Sequence, residues 1–175
     1  NASIQIKGSY ADFVSSGLWS GSALATTLTT ATDAANLVSQ VSSYELSGTI
    51  SSATELANHK ALAQAFSDSG ATVTTNLNFS SSFTSSAVTA DAFTNLAILD
   101  ALTSENLISD NFTSGVTITD SSDNIRTLIT NTTASVVAAK ANISGLTSTT
   151  DTTEKIILTW DEYVGALDGG SFASS

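Results

Sequence analysis

Apolar and polar residues alternate in four short runs, which is the pattern expected of strands that bury one face. The runs are Ile4–Lys7, Thr72–Phe79, Gly115–Thr119 and Lys155–Thr159. They are rich in β-branched residues, which fit the pleated surface of a sheet. The sequence therefore predicts a small β-sheet, whose N-terminal strand carries Ile4 and Ile6 on one face.

Apolar residues at helical spacing fill the stretches between these runs. Each stretch opens on Ser, Thr or Asp, residues whose side chains cap free backbone N–H groups at a helix start. The predicted helices begin near Thr32, Ser51, Thr89, Asp120 and Thr159. The segment Ser80–Ser86, which contains Phe83, is predicted instead to be a loop anchored by aromatic rings.

The order of these elements predicts an α+β fold, with short helices around a small sheet. Proline is absent and no linker is evident, so we expect one compact domain over residues 1–167 and a short C-terminal tail over residues 168–175. An acid precedes an Asn and an aliphatic residue near Asp33, Asp91 and Asp120. Divergent internal repeats would explain this recurring pattern, and so would ordinary helix capping.

The composition is poor in reactive side chains. Ser and Thr fill about a third of the 175 positions, Cys and Met are absent, and there is one His. The chain has 16 Asp and Glu but only five Lys and Arg, which gives a net charge of −11. The bases are scattered, so binding to nucleic acid phosphates is not expected. No apolar stretch approaches the ~20 residues that a membrane span requires. Such an inert, acidic chain is typical of exported bacterial proteins, and we expect an extracellular or cell-surface location.

Carboxylates offer the main candidates for ligand chemistry. Asp120, Asp123, Asp151 and Glu154 are candidate oxygen ligands for Ca²⁺, because Thr hydroxyls and loop carbonyls surround them. The same residues lie at predicted helix starts, where acids cap the backbone and complement the helix dipole. Calcium binding and helix capping both remain open.

His59 and Trp19 are the other residues with distinctive chemistry. His59 has no second His or Cys to complete a zinc site, and no G-x-S-x-G turn supplies a nucleophile. We therefore predict no enzymatic activity, and keep His59 as a candidate axial ligand for haem. Trp19, between Gly17 and Gly21, either seals a core edge or anchors a sugar or a neighbouring subunit.

The C-terminal third resembles a repeat of bacterial S-layer-like, adhesin-like and type 1 secreted surface proteins. The resemblance covers residues 115–167 and rests on G-V-T-I-T-D-S-S-D-N-I-R-T-L-I, N-I-S-G-L-T-S-T and K-I-I-L-T-W-D-E-Y-V-G-A-L. It implies strands that end in Ile-Thr or Leu-Thr and lead into helices. The glycine-rich calcium nonapeptide that often accompanies such repeats is absent.

These observations favour an extracellular structural or adhesive protein, the subunit of a bacterial surface layer, filament or matrix that acts by self-assembly. The expected partners are further copies of the chain, in a homo-oligomer or polymer, and glycans. Ile4, Ile6 and Trp19 are the candidate assembly residues, because an alternating terminal strand either pairs within its own sheet or adds to another subunit's edge. The alternative is an exported binder of haem, a pigment or a glycan.

Overall fold

The computed structural model describes residues 4–25, 41–85, 88–150 and 156–162. The fold is α+β, with short helices and small parallel sheets, as predicted. Contacts group the chain into two compact units, Asn1–Asn78 with Leu102–Glu105 and Phe79–Ala101 with Asn106–Ser175. The predicted single domain over residues 1–167 stays a prediction, and the tail over residues 168–175 lies outside the described residues.

The first unit contains a three-stranded sheet. Its elements are β1 (Ile4–Ser9), α1 (Tyr10–Ser15), β2 (Val41–Ile50), α2 (Ala53–Asp68) and β3 (Thr72–Phe79). The strands lie in the order β1-β2-β3, and β1 is parallel to β2. Its core centres on stacked rings of Tyr44 and Phe66, whose centroids are 3.7 Å apart, with Phe13 packed edge-on against them.

The second unit repeats short strand and helix segments. Its elements are α3 (Ser81–Ser85), α4 (Ala90–Leu102), α5 (Leu107–Asn111), β4 (Val116–Asp120), α6 (Ser122–Ile129), α7 (Ala134–Ala139), a 3₁₀ turn (Lys140–Asn142) and β5 (Ile143–Ser148). Strands β4 and β5 pair in parallel. On the other side of β4, Val88 forms an isolated parallel bridge with Ile118. We call these three neighbouring strand positions, at Val88, β4 and β5, rungs.

Short strands lead directly into helices because the residues between them cap the helix start. Ser9 ends β1, and its hydroxyl accepts a hydrogen bond from the Asp12 backbone N–H, while the Asp12 carboxylate accepts one from the Ser9 N–H at 2.8 Å. At the start of α2 the Ser52 hydroxyl accepts from the Glu55 N–H, and the Glu55 carboxylate accepts from the N–H of Ser51, one residue before the cap, at 2.6 Å. Such bonds satisfy backbone donors near a helix start that would otherwise be left open.

Several local predictions are wrong. Residues 81–85 form helix α3 rather than a loop, although the ring of Phe83 packs on Phe79 and Phe112 as an aromatic anchor. Val41 begins strand β2 instead of ending a helix, and the rest of that predicted helix lies outside the described residues. Residues 156–159 form no strand. Within the described part of the chain, no helix is long and apolar enough to cross a bilayer.

Candidate functional site

The last strand of the second unit leaves an aliphatic position uncovered. Val88, Ile118 and Leu146 occupy equivalent positions on three neighbouring rungs, and we call them the aliphatic column. Ile118, in the middle, is fully buried, whereas Leu146 on β5 is 36% exposed. No described strand pairs with the outer edge of β5. The column therefore ends at an open strand edge.

The first strand of the first unit also carries aliphatic side chains that are less buried than those on the neighbouring strand. Ile6 lies in register with Tyr44 of β2, which is buried, yet Ile4 and Ile6 are only half-buried. Among the described residues no strand covers the outer edge of β1. The structure thus pairs Ile4 and Ile6 within their own sheet, one of the two predicted alternatives, and the pairing between subunits stays a prediction.

Sequence analysis did not single out Leu146, although a signal for it exists. The dipeptides Val88-Thr89, Ile118-Thr119 and Leu146-Thr147 each place an aliphatic residue before a threonine. Their registers match, because Ile118 pairs with both Val88 and Leu146. The dipeptide is a weak signal by itself, because it also occurs at Leu102-Thr103 at the end of α4 and at Leu158-Thr159, where no strand forms.

Asp120, a predicted calcium ligand, is occupied by hydrogen bonds. One carboxylate oxygen accepts from the Ala90 backbone N–H at 3.0 Å, and the other accepts from the Ser121 N–H at 2.8 Å and the Asn124 side-chain amide at 2.7 Å. Burial alone would raise the pKa of this carboxyl, but the three hydrogen bonds outweigh it and lower the pKa. Asp120 therefore holds the first turns of α4 and α6 together.

The remaining calcium candidates are not brought into one cluster with Asp120. Asp123 lies on the first turn of α6 with an exposed side chain. Asp151 and Glu154 lie outside the described residues. Within the described ranges, no group of three or more His, Cys, Asp or Glu side chains gathers to hold a metal ion. Calcium binding by these four residues stays a prediction.

A cluster of hydroxyl groups fastens the end of β5 to the start of α6. The Ser122 hydroxyl lies 2.8 Å from that of Ser148 and 3.3 Å from that of Thr150, and the Ser122 N–H donates to Thr150. The Thr149 N–H donates to the Asp120 carbonyl at 2.8 Å. Small hydroxylated side chains therefore link one rung to the next.

Trp19, the third predicted assembly residue, is 3% exposed. Its indole N–H donates to the Tyr10 hydroxyl at 3.3 Å, and its backbone N–H donates to the Phe13 carbonyl. The ring therefore seals an edge of the core, as one of the two sequence interpretations held. The burial of this ring favours that interpretation, and a role of Trp19 in assembly stays a prediction.

His59 is a buried residue on α2. Its Nδ1 is 2.8 Å from the Glu55 carbonyl oxygen, which makes Nδ1 the protonated nitrogen, because a carbonyl only accepts. Its ring lies against Tyr10, and the described residues offer Nε2 no hydrogen-bond partner. His59 therefore packs in the core of the first unit, with one unused lone pair.

Lys140 is a buried cation that sequence analysis did not single out. Its ammonium donates to the carbonyls of Ile129 and Asn131, at 2.6 and 2.8 Å, beyond the C-terminal end of α6. A positive charge there complements the helix dipole. Burial lowers the pKa of the Lys140 amine. The lysine therefore acts as a C-terminal cap of α6.

Residues 156–162 present large apolar side chains to solvent. Ile157 is 77% exposed and Trp160 is 74% exposed. The segment is attached to α6 by an ion pair in which the Arg126 guanidinium donates to both Glu162 carboxylate oxygens, at 2.7 and 3.0 Å. The hydrogen bond from the Thr159 N–H, and after it the one from Arg126, lowers the pKa of Glu162. The ion pair fixes an apolar surface outside the core.

Two surface depressions lie in the second unit, with volumes of about 310 and 280 Å³. The first is lined around Phe112, Gly115 and Asn142, and the second around Asp91, Asn124 and Asn131. Neither is lined by His59 or a tryptophan, the residues predicted to mark a ligand pocket. Their linings mix small polar residues with the apolar side chains of Phe112 and Ile143 in the first and Leu128 in the second.

In comparisons with known proteins, no family model, no curated protein and no solved structure matches the chain.

Proposed function

We propose that this protein is an extracellular structural or adhesive subunit of a bacterial surface layer, filament or matrix, and that it acts by self-assembly rather than catalysis. The observation that carries the proposal is that, among the described strands, the open outer edges of β1 and β5 carry partly exposed aliphatic side chains. Sheet edges with unpaired N–H and C=O groups are ready templates for pairing with another chain.

The composition supports the same proposal. A chain without Cys or Met resists oxidation, and its many Ser and Thr hydroxyls are used to connect neighbouring segments, as in the Ser122, Ser148 and Thr150 cluster. The resemblance of residues 115–167 to repeats of bacterial surface proteins points in this direction as well. Glycans and Ca²⁺ are further partners under this proposal.

The experiment that tests the proposal is to follow assembly of the purified chain against concentration. We expect light scattering to rise above a threshold concentration, with and without Ca²⁺, and negative-stain electron microscopy to show ordered polymers or layers. Bovine serum albumin at matched concentration controls for nonspecific aggregation. A chain that stays monodisperse across the concentration range in both conditions would refute self-assembly.

A second candidate function, an exported binder of haem, is favoured by one observation. The Nε2 atom of His59 is buried without a hydrogen-bond partner among the described residues, and imidazole nitrogen is the usual axial ligand of haem iron. Titration with haemin tests it: a saturable Soret shift that His59→Ala abolishes would support binding. An unchanged haemin spectrum would rule this candidate out.

A further inference from the structure

We propose that the outer edge of β5 is the assembly surface of this protein and that its occupant is the outer edge of β1 from a second copy of the chain. The subunits would then join head to tail, with one continuous parallel sheet across each junction. This inference rests on the proposed self-assembly and names the surfaces that carry it.

Strand polarity makes these two edges complementary. In both units the strand order follows the chain order, β1-β2-β3 in one sheet and Val88, β4, β5 in the other. Within each sheet, the next strand along the chain is therefore added on the same side as the one before it. Strand β1 therefore leaves open the side where a preceding strand would pair, and β5 leaves open the side where a following strand would pair.

The partly exposed aliphatic residues at the two edges also match. Leu146 belongs to the aliphatic column, whose inner member Ile118 is buried. Ile6 faces the same layer as Tyr44 and Leu46, which are buried on the neighbouring strand. Placing β1 of a second copy beside β5, with Ile6 next to Leu146, covers both side chains in the way the inner rungs are covered.

Neither edge carries a charge that opposes this pairing. Strand β5 reads Ile-Ser-Gly-Leu-Thr-Ser and contains no charged residue and no proline, whereas edge strands that must stay single are commonly guarded by such residues. The one charged side chain on β1, Lys7, forms an ion pair with Glu45 of its own sheet. In the proposed register Lys7 lies opposite Thr147, so no like charges meet.

Cysteine cross-linking tests the junction directly, because the chain has no native cysteine. Lys7→Cys and Thr147→Cys are placed in separate chains, at side chains that are both exposed. After mixing under mild oxidation, we expect a disulfide-linked heterodimer that mass spectrometry assigns to positions 7 and 147. Each variant alone should give at least about fivefold less dimer. Val14→Cys, on α1 and 43% exposed, is the control partner for Thr147→Cys and should cross-link no more than background.

A charge placed in the junction tests its energetic role. Leu146→Lys should raise the threshold concentration for assembly at least about tenfold, because the lysine would be buried without a partner. Val14→Lys introduces the same charge at an exposed aliphatic residue on α1, outside both edge strands, and should leave the threshold within about twofold. Circular dichroism of both variants confirms that they fold.

The outcomes separate this inference from the proposed function. Assembly of the unmodified chain without a 7–147 cross-link, or a stronger Thr147→Cys homodimer, overturns the head-to-tail junction and leaves self-assembly standing. A homodimer of Thr147→Cys would indicate two β5 edges related by a two-fold axis. If the unmodified chain does not assemble at any concentration, self-assembly and this junction both fail.

Discussion

The carboxylate of Asp120 serves the starts of two helices at once. It accepts from the Ala90 N–H in the first turn of α4, and from Ser121 and Asn124 around the start of α6. Hydrogen bonds to a charged group contribute more to stability than neutral ones, roughly 1.5–3 kcal/mol each after the exchange with water is counted. Much of the local order in the second unit therefore depends on one side chain.

Asp120→Asn should lower the free energy of unfolding by about 2 kcal/mol at pH 7, because the amide removes the charge and presents a donor where backbone N–H groups already point. The matched control is Asp123→Asn, an exposed acid in the first turn of α6, which should cost about 0.5 kcal/mol or less. Urea denaturation measures both. Equal losses for the two variants would show that Asp120 has no special role.

The stability that Asp120 contributes should decrease as the pH falls. The pKa of Asp120 is lower in the folded chain than its usual 3.8. The folded state therefore binds fewer protons than the unfolded state in this range, and the ionised carboxylate stabilises the fold fully above about pH 3.8. This stabilisation is lost as pH falls through the lowered folded pKa. The difference between the unmodified chain and Asp120→Asn should therefore be complete at pH 7 and should shrink below pH 3.8. A difference that grew on acidification would contradict this assignment.

Gly115 controls how β4 approaches β5. Its φ is +81°, and a Cβ built there would lie 2.7 Å from the Ser144 Cβ. Gly115→Ala should therefore cost about 3 kcal/mol, from backbone strain together with the clash. Gly70 has a similar φ of +83° but no neighbour within 4 Å, so Gly70→Ala should cost only about 1 kcal/mol. Thermal and urea denaturation measure the two losses, and equal values would show that the contact with Ser144 is unimportant.

The same elements show where sequence patterns succeed. Thr72–Phe79 alternates between exposed and buried positions along its length, and it is a strand with the predicted bounds. Strand β2 went unrecognised because Ser42, Ser43 and Gly48 interrupt its apolar positions, yet pairing on both sides holds it extended. Residues 156–159, rich in Ile and Leu, form no strand. Strand propensity is weak unless a neighbouring strand supplies the hydrogen bonds.

The candidate site was predictable only in part, for a related reason. Sequence identified Asp120 as important and weighed both calcium and capping, but only geometry shows three hydrogen bonds converging on it. Ile4 and Ile6 were recognised from alternation. The exposure of Leu146 depends on which strand ends the sheet, a property of tertiary structure that its own flanking Gly and Thr do not reveal.

The whole molecule carries a net charge of −11, so copies that approach one another repel. Salt screens such repulsion, with a Debye length of about 8 Å at physiological ionic strength. We therefore expect the threshold concentration for assembly to fall several-fold between about 10 and 300 mM NaCl. Light scattering across a salt series measures this change.

Divalent salts extend the same test. At equal ionic strength, CaCl₂ and MgCl₂ should act alike if they only screen charge. A response to Ca²⁺ alone would support the predicted site at Asp120, Asp123, Asp151 and Glu154. Salt that weakened assembly would show instead that ionic contacts between subunits outweigh the repulsion, contrary to the uncharged junction proposed for β5.

The spacing of the aliphatic column has a consequence for how such a chain can change in evolution. From Val88 to Ile118 the chain advances 30 residues, and from Ile118 to Leu146 it advances 28. Each advance returns the backbone to an equivalent position one strand further along. Duplicating one such segment in the gene would lengthen the sheet while leaving the existing strand pairs intact. The length of the protein can therefore vary by whole segments, with each new terminal strand inheriting the same open edge.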